Sequence, residues 1–180
     1  MTFYGAKELA ESFRTVRKNT LIIAEEIGEE NYAFQATPDT RTICETLIHI
    51  ANVCKLQEQI QGVEKLHSIA NFDFMGFIGP LIADEKTPRT KSEIIALLTE
   101  GGDRFSTWLE SLPDEFLGER VELPAGTTPP SKSRFEMILG VKEHEMHHRG
   151  QLMLLQRLVG GVPHLTRAFH ARIAAMTAKA

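Results

Sequence analysis

The chain has 180 residues, is 42% hydrophobic and 24% charged, and carries a formal net charge of −4 with a pI near 6.0. That length supports one sizeable core, so a single domain over residues 1–180 is expected. The acidic balance argues against a nucleic-acid partner, and no apolar run approaches the length of a membrane span.

Glu8, Glu11, Arg14, Arg17 and Lys18 interrupt the first thirty residues, so no secretory signal is read there. The two cysteines, Cys44 and Cys54, fall in one predicted helix, where ten residues of rise separate them by roughly 15 Å, too far to bridge. Free thiols without a signal point to the cytoplasm.

Four segments carry helical periodicity and no alternating stretch is long enough for a sheet of any size, so the expected class is all-α. The first helix runs from about Gly5 to Glu26, with Leu9, Phe13, Val16, Thr20 and Ile23 inward and Gly28 as the stop. The second starts near Thr42, which has the capping-box spacing to Glu45, and continues to about Gly62. The link from Val63 to Arg89 is long enough to let the second and third helices run parallel. The third helix spans Thr90 to Leu112, with Glu93 completing its cap. Its Gly101-Gly102 pair, at roughly 1 kcal/mol per glycine against alanine, invites a kink or break. Between Pro113 and Lys132, Arg120 to Leu123 has the makings of a small hairpin arm. The fourth helix begins at Ser133, capped by Glu136, and ends at Gly160-Gly161-Val162-Pro163. A short terminal helix follows over Thr166 to Thr177.

The most informative stretch is Glu143-His144-Glu145-Met146-His147-His148-Arg149-Gly150-Gln151-Leu152. His144 and His148 are four apart, so on a helix they stack on one face and can reach one ion. They belong to a stripe of Met137, Val141, His144, His148, Leu152 and Leu155 that should face the interior. The second helix offers a matching stripe of His49, Val53, Leu56 and Ile60, which makes His49 the candidate third ligand. One histidine on an apolar face is ordinarily a hydrogen-bonded core residue, but an i, i+4 pair in an apolar stripe is harder to explain by packing. Three imidazoles with an open position suit a catalytic site for a divalent metal. Zinc or nickel come first, with iron, manganese and copper as alternatives. His147, about 100° around the helix from His148, and Arg149 are read as outer-shell residues. His67, His164 and His170 lie off the inward stripes.

His49 within Thr46-Leu47-Ile48-His49-Ile50, together with the segment from Glu143 to Leu152, resembles the signature of the DinB/YfiT family, and the likeness spans all four helices. The resemblance implies a four-helix bundle in up-down-down-up order with a long crossover between the second and third helices. It also implies a metal triad at His49, His144 and His148. Characterised members of that family transfer or isomerise with a low-molecular-weight thiol such as mycothiol, bacillithiol or glutathione, so a thiol cofactor and a small-molecule substrate are expected.

His144-Glu145-Met146-His147-His148 also fits H-E-x-x-H, the zinc peptidase motif, with Glu145 as base. No Asp or Glu follows Met146 to serve as a downstream ligand, and the extended motif fails at Leu154. The peptidase reading is therefore the weaker one, and Glu145 is expected to be a solvated residue opposite Arg149, or an outer-shell acceptor. Arg149, Arg157, Arg167 and Arg172, with no acid among them, form either a docking surface for an anionic thiol or an ordinary solvated face. The expected function is a metal-dependent enzyme activating a thiol or water. A non-catalytic metal-binding or stress-response protein is the alternative, and a homodimer the expected assembly.

Overall fold

The computed structural model describes residues 4–178. Its helices are α1 (Ala6–Glu26), α2 (Ile43–Gln57), α3 (Phe74–Asp84), α4 (Lys91–Glu110), α5 (Asp114–Gly118), α6 (Arg134–Leu158) and α7 (His164–Thr177). Two three-residue strands, β1 (Arg120–Glu122) and β2 (Ser131–Ser133), pair antiparallel before α6. None of the described helices is long and apolar enough to cross a membrane.

Each long helix after the first starts as its sequence directs. Thr42, Thr90 and Ser133 accept from the backbone N–H three residues on, while Glu45, Glu93 and Glu136 reach back to the cap, satisfying two otherwise orphaned donors at each start. The end of α2 widens into a π-turn over Glu58–Val63.

α1, α2, α4 and α6 form the bundle, and each of α1 and α2 packs on both α4 and α6. The core divides into two clusters that fix the helix directions. One joins the end of α1 (Ile23, Ala24) to the start of α2 (Ile43, Leu47), the start of α4 (Ile94, Leu98) and the end of α6 (Leu152, Leu155). The other joins the start of α1 (Leu9, Phe13) to Cys54 of α2, Phe105 and Leu109 of α4, and Ile138 and Val141 of α6. α2 and α4 therefore run together, against α1 and α6, which is the up-down-down-up order, and the connection carrying α3 is the crossover.

A buried ion pair lies between the two clusters. Arg17 of α1 donates to both carboxylate oxygens of Glu145 at 2.9–3.1 Å and to the Leu98 carbonyl at 2.6 Å, and the two side chains are 4% and 0% exposed. The expectation of a solvated Glu145 is thus corrected. One residue along α6 from His144 turns about 100°, which carries Glu145 away from the histidine face and onto α1. The same pair explains Gly102 of the Gly101-Gly102 pair, where α4 runs unbroken rather than kinking. A Cβ at Gly102 would come within 2.8 Å of the Arg17 side chain, so the glycine gives the guanidinium room to cross.

The sequence reading did not include α3, whose pattern is broken by Gly76, Gly79 and Pro80. It is capped by Asp73, which accepts from Gly76 N–H at 2.9 Å. Although strongly apolar, it buries no residue.

Candidate metal centre

α2 presents His49, and α6 presents His144 and His148 one turn apart. The three rings converge through the same atom. Nε2 of His144 lies 2.8 Å from Nε2 of His49 and 3.0 Å from Nε2 of His148. The expected stripes face inward along the seam between α2 and α6, with Val141, Leu152, Leu155 and Ile60 buried, His49 and His144 half-buried, and His148 7% exposed.

The outer nitrogens decide what the inner ones can do. Nδ1 of His49 is 2.7 Å from Oε1 of Glu85, and because a carboxylate only accepts, that nitrogen carries the proton. Nδ1 of His148 is 2.7 Å from Oε1 of Gln151, whose amide nitrogen lies 3.2 Å from Nε2 of His147. Two neutral rings are thereby set in the Nδ1–H form, with Nε2 lone pairs aimed at His144. His144 Nε2 can donate one proton to one of them, leaving the other contact with two opposed acceptors. A cation satisfies all three at once. Metal–nitrogen bonds of about 2.0–2.1 Å at tetrahedral angles put the nitrogens about 3.3 Å apart, so the two contacts to His144 need open by only a few tenths of an ångström, and all three ligand atoms already lie within 4.8 Å of one another.

Burial favours the neutral, ligating form of each ring. It pushes His144 down to about 4, with His148 and His49 adding to the effect. Burial also lowers His49 and His148, against the opposing hydrogen bonds from Glu85 and Gln151.

Glu85 caps the end of α3 and also accepts from Arg41 Nε at 2.6 Å, so one carboxylate joins His49 to a guanidinium. Asp84, beside it, accepts from Asn52 of α2 at 3.1 Å and pairs with Arg89, fixing this end of α3 against the bundle. The sequence reading missed Glu85, Gln151 and Arg41. The signal for Glu85 is its place seven residues after Ile78 on the stripe shared with Leu81 and Ile82.

Of the outer candidates, His147 reaches the triad through Gln151, while Glu145 and Arg149 do not. Arg149 is half-buried beside Glu145 on the far side of α6, where burial lowers its pKa. The C-terminal arginines are not at the site. Arg167 pairs with Glu26 and Arg157 donates to Thr166. The positive charge near the triad comes from Arg41 and Lys86 instead. His67 and His164 sit elsewhere, near Glu119 and Asn19.

Two cavities flank the triad. One, of about 420 Å³, is mainly apolar and lies between α2, α3 and α6, with His49 and His144 in its wall. The other, of about 760 Å³, is more polar, reaches His148 and Gln151, and is bounded by the segment before α2 and by Lys86. Arg41, Ile82 and Glu85 border both.

The helix order and the convergent imidazoles define a four-helix-bundle protein with a three-histidine site that could hold a divalent metal. Residues 12–152 match the model of the DinB superfamily, and the chain belongs to that superfamily. Three solved structures share the fold. A DinB-like protein of Bacillus subtilis, YjoA, is 19% identical with a TM-score of 0.63, over 86% of this chain and 94% of that one. YfiT of Bacillus subtilis, described as a probable metal-dependent hydrolase with an unusual four-helix bundle topology, is 17% identical with a TM-score of 0.67, over 89% and 91%. A protein of Streptococcus pneumoniae is 17% identical with a TM-score of 0.66, over 88% and 94%. No curated protein matches the sequence.

Proposed function

We propose that this protein is a metal-dependent enzyme acting on a small molecule, with His49, His144 and His148 as the ligands of one divalent ion and a thiol or water as the nucleophile. The observation that carries the reading is the convergence of three Nε2 atoms, with the tautomers of His49 and His148 set by Glu85 and Gln151. An ion held by neutral imidazoles keeps its full charge and acts as a Lewis acid that lowers the pKa of a thiol or water beside it.

The chain's own residues supply the rest. Glu85 and Gln151 hold the rings in register, and burial keeps them unprotonated. Arg41 and Lys86, at the rim of the polar cleft, are paired with Glu85 and Glu45, so the cleft offers hydrogen-bonding groups rather than net positive charge to a carrier such as a low-molecular-weight thiol. Glu145 offers no general base to a peptidase, because Arg17 engages both of its oxygens. A water nucleophile is the second reading, favoured by the fold shared with YfiT, and it needs only the same three rings. Free Cys44 and Cys54 fit a reducing cytoplasm. A homodimer is consistent with the exposed Leu154, Leu158, Phe169 and Ile173.

The test is turnover. Metal-loaded protein is mixed with glutathione, bacillithiol or mycothiol and a chromogenic aryl halide, and separately with a nitrophenyl ester in the absence of thiol. Native protein should accelerate one of the two reactions at least tenfold, and His148→Ala should not. Equal rates for both proteins in every reaction would leave a site that binds an ion without catalysis.

A further inference from the structure

The apolar cavity has features that packing does not explain. Met137, Gly140, Val141 and His144 line it from one face of α6, at steps of three, one and three. Gly140 lies inside a 25-residue helix, where glycine costs roughly 1 kcal/mol against alanine. Apart from its chain neighbours and the backbone of its own helix, no atom lies within 4 Å of where its Cβ would be. At Gly102 the crossing of Arg17 accounts for the missing side chain, but at Gly140 nothing occupies the space except the cavity. α3 points the same way. Phe74, Ile78, Leu81 and Ile82 turn one apolar face onto the cavity, yet none of them is buried, because that face covers an open chamber rather than a filled core.

The polar lining restricts what would bind. Arg41 and Glu85 are paired with each other, so the chamber presents no uncompensated charge to an ionic ligand. The remaining wall is aliphatic and aromatic, with the amides of Asn52 and Gln57 and, at one end, the rings of His49 and His144.

We propose that the chamber between α2, α3 and α6 is the binding site for a neutral, mainly apolar small molecule, whose body lies under α3 with one end against His49 and His144. This assignment rests on the proposed triad for the orientation of the ligand but not for its binding. The polar cleft on the other side of the Arg41–Glu85 pair is left for a polar second reactant.

N-phenyl-1-naphthylamine, a neutral fluorescent probe, is titrated into native protein, both metal-loaded and after EDTA treatment, with metal content measured on the same samples. Native protein should bind about one equivalent in both states. Gly140→Leu, which directs a side chain into the open space and is favoured in a helix, should weaken binding at least tenfold while leaving the metal content unchanged. Phe169→Ser, on the exposed face of α7, should bind as the native protein does. Equal affinity in Gly140→Leu and native protein, or no binding by native protein of full helical content, would overturn the assignment. Metal loss with probe binding retained would count against the triad alone.

Discussion

Glu85 shows how much of a histidine site lies outside its ligands. Its carboxylate accepts a hydrogen bond from Nδ1–H of His49 and is itself bound by Arg41, so it sets which nitrogen of His49 is free and where the ring points. Glu85→Ala should therefore weaken metal affinity by roughly 10–100-fold without abolishing it, as competition against a chromogenic chelator would measure. His49→Ala or His144→Ala should instead remove most of the metal, while His67→Ala, His164→Ala and His170→Ala should keep it. Retention by both of the first two would end the triad reading. The three converging histidines were legible because i, i+4 spacing on one helix and an apolar stripe on another are local patterns. Glu85 and Gln151 were not, since neither a capping glutamate nor a glutamine three residues after a histidine stands out until the backbone brings it to the ring.

At the scale of the element, α6 is buried on two faces. His144 and His148 look toward α2, and Glu145 looks toward α1. A single inward stripe describes only the first face, and charged residues are normally assigned to solvent because they are rarely buried unless paired. For that reason Arg17, Glu145 and the fully buried Arg134 could not be placed inside from sequence. α3 was lost for a different reason, its glycines and proline masking an apolar face that covers a cavity. The Arg17–Glu145 pair has a measurable signature. Glu145→Ala strands a guanidinium in the core and should cost about 3–5 kcal/mol, read by denaturant unfolding. The double variant Arg17→Met, Glu145→Leu removes both charges and should recover most of that loss. A double variant as unstable as Glu145→Ala would mean that the hydrogen bond to the Leu98 carbonyl, rather than the charge balance, is what matters.

For the whole molecule, the helix directions follow from capping boxes and link lengths that the sequence displays, but the division of the core around an ion pair does not. That division bears on what an ion would stabilise. The two apolar clusters draw on all four long helices, so the bundle has an extensive core beyond the contacts of the site. The triad ties α2 to α6, and Glu85 and Asp84 tie the end of α3 to α2. An ion present at a hundred times its dissociation constant adds about 2.7 kcal/mol, which for a chain of this size is roughly 5–10 °C in Tm. EDTA treatment should lower Tm by that amount with no loss of helical circular dichroism. Hydrogen exchange should then rise in residues 74–90 and around His49, where few other contacts hold α3. Residues 9–24 of α1 and 94–109 of α4 should keep their protection. Equal loss of protection in α1 and α4 would show that the ion holds the bundle together rather than serving a site on its flank.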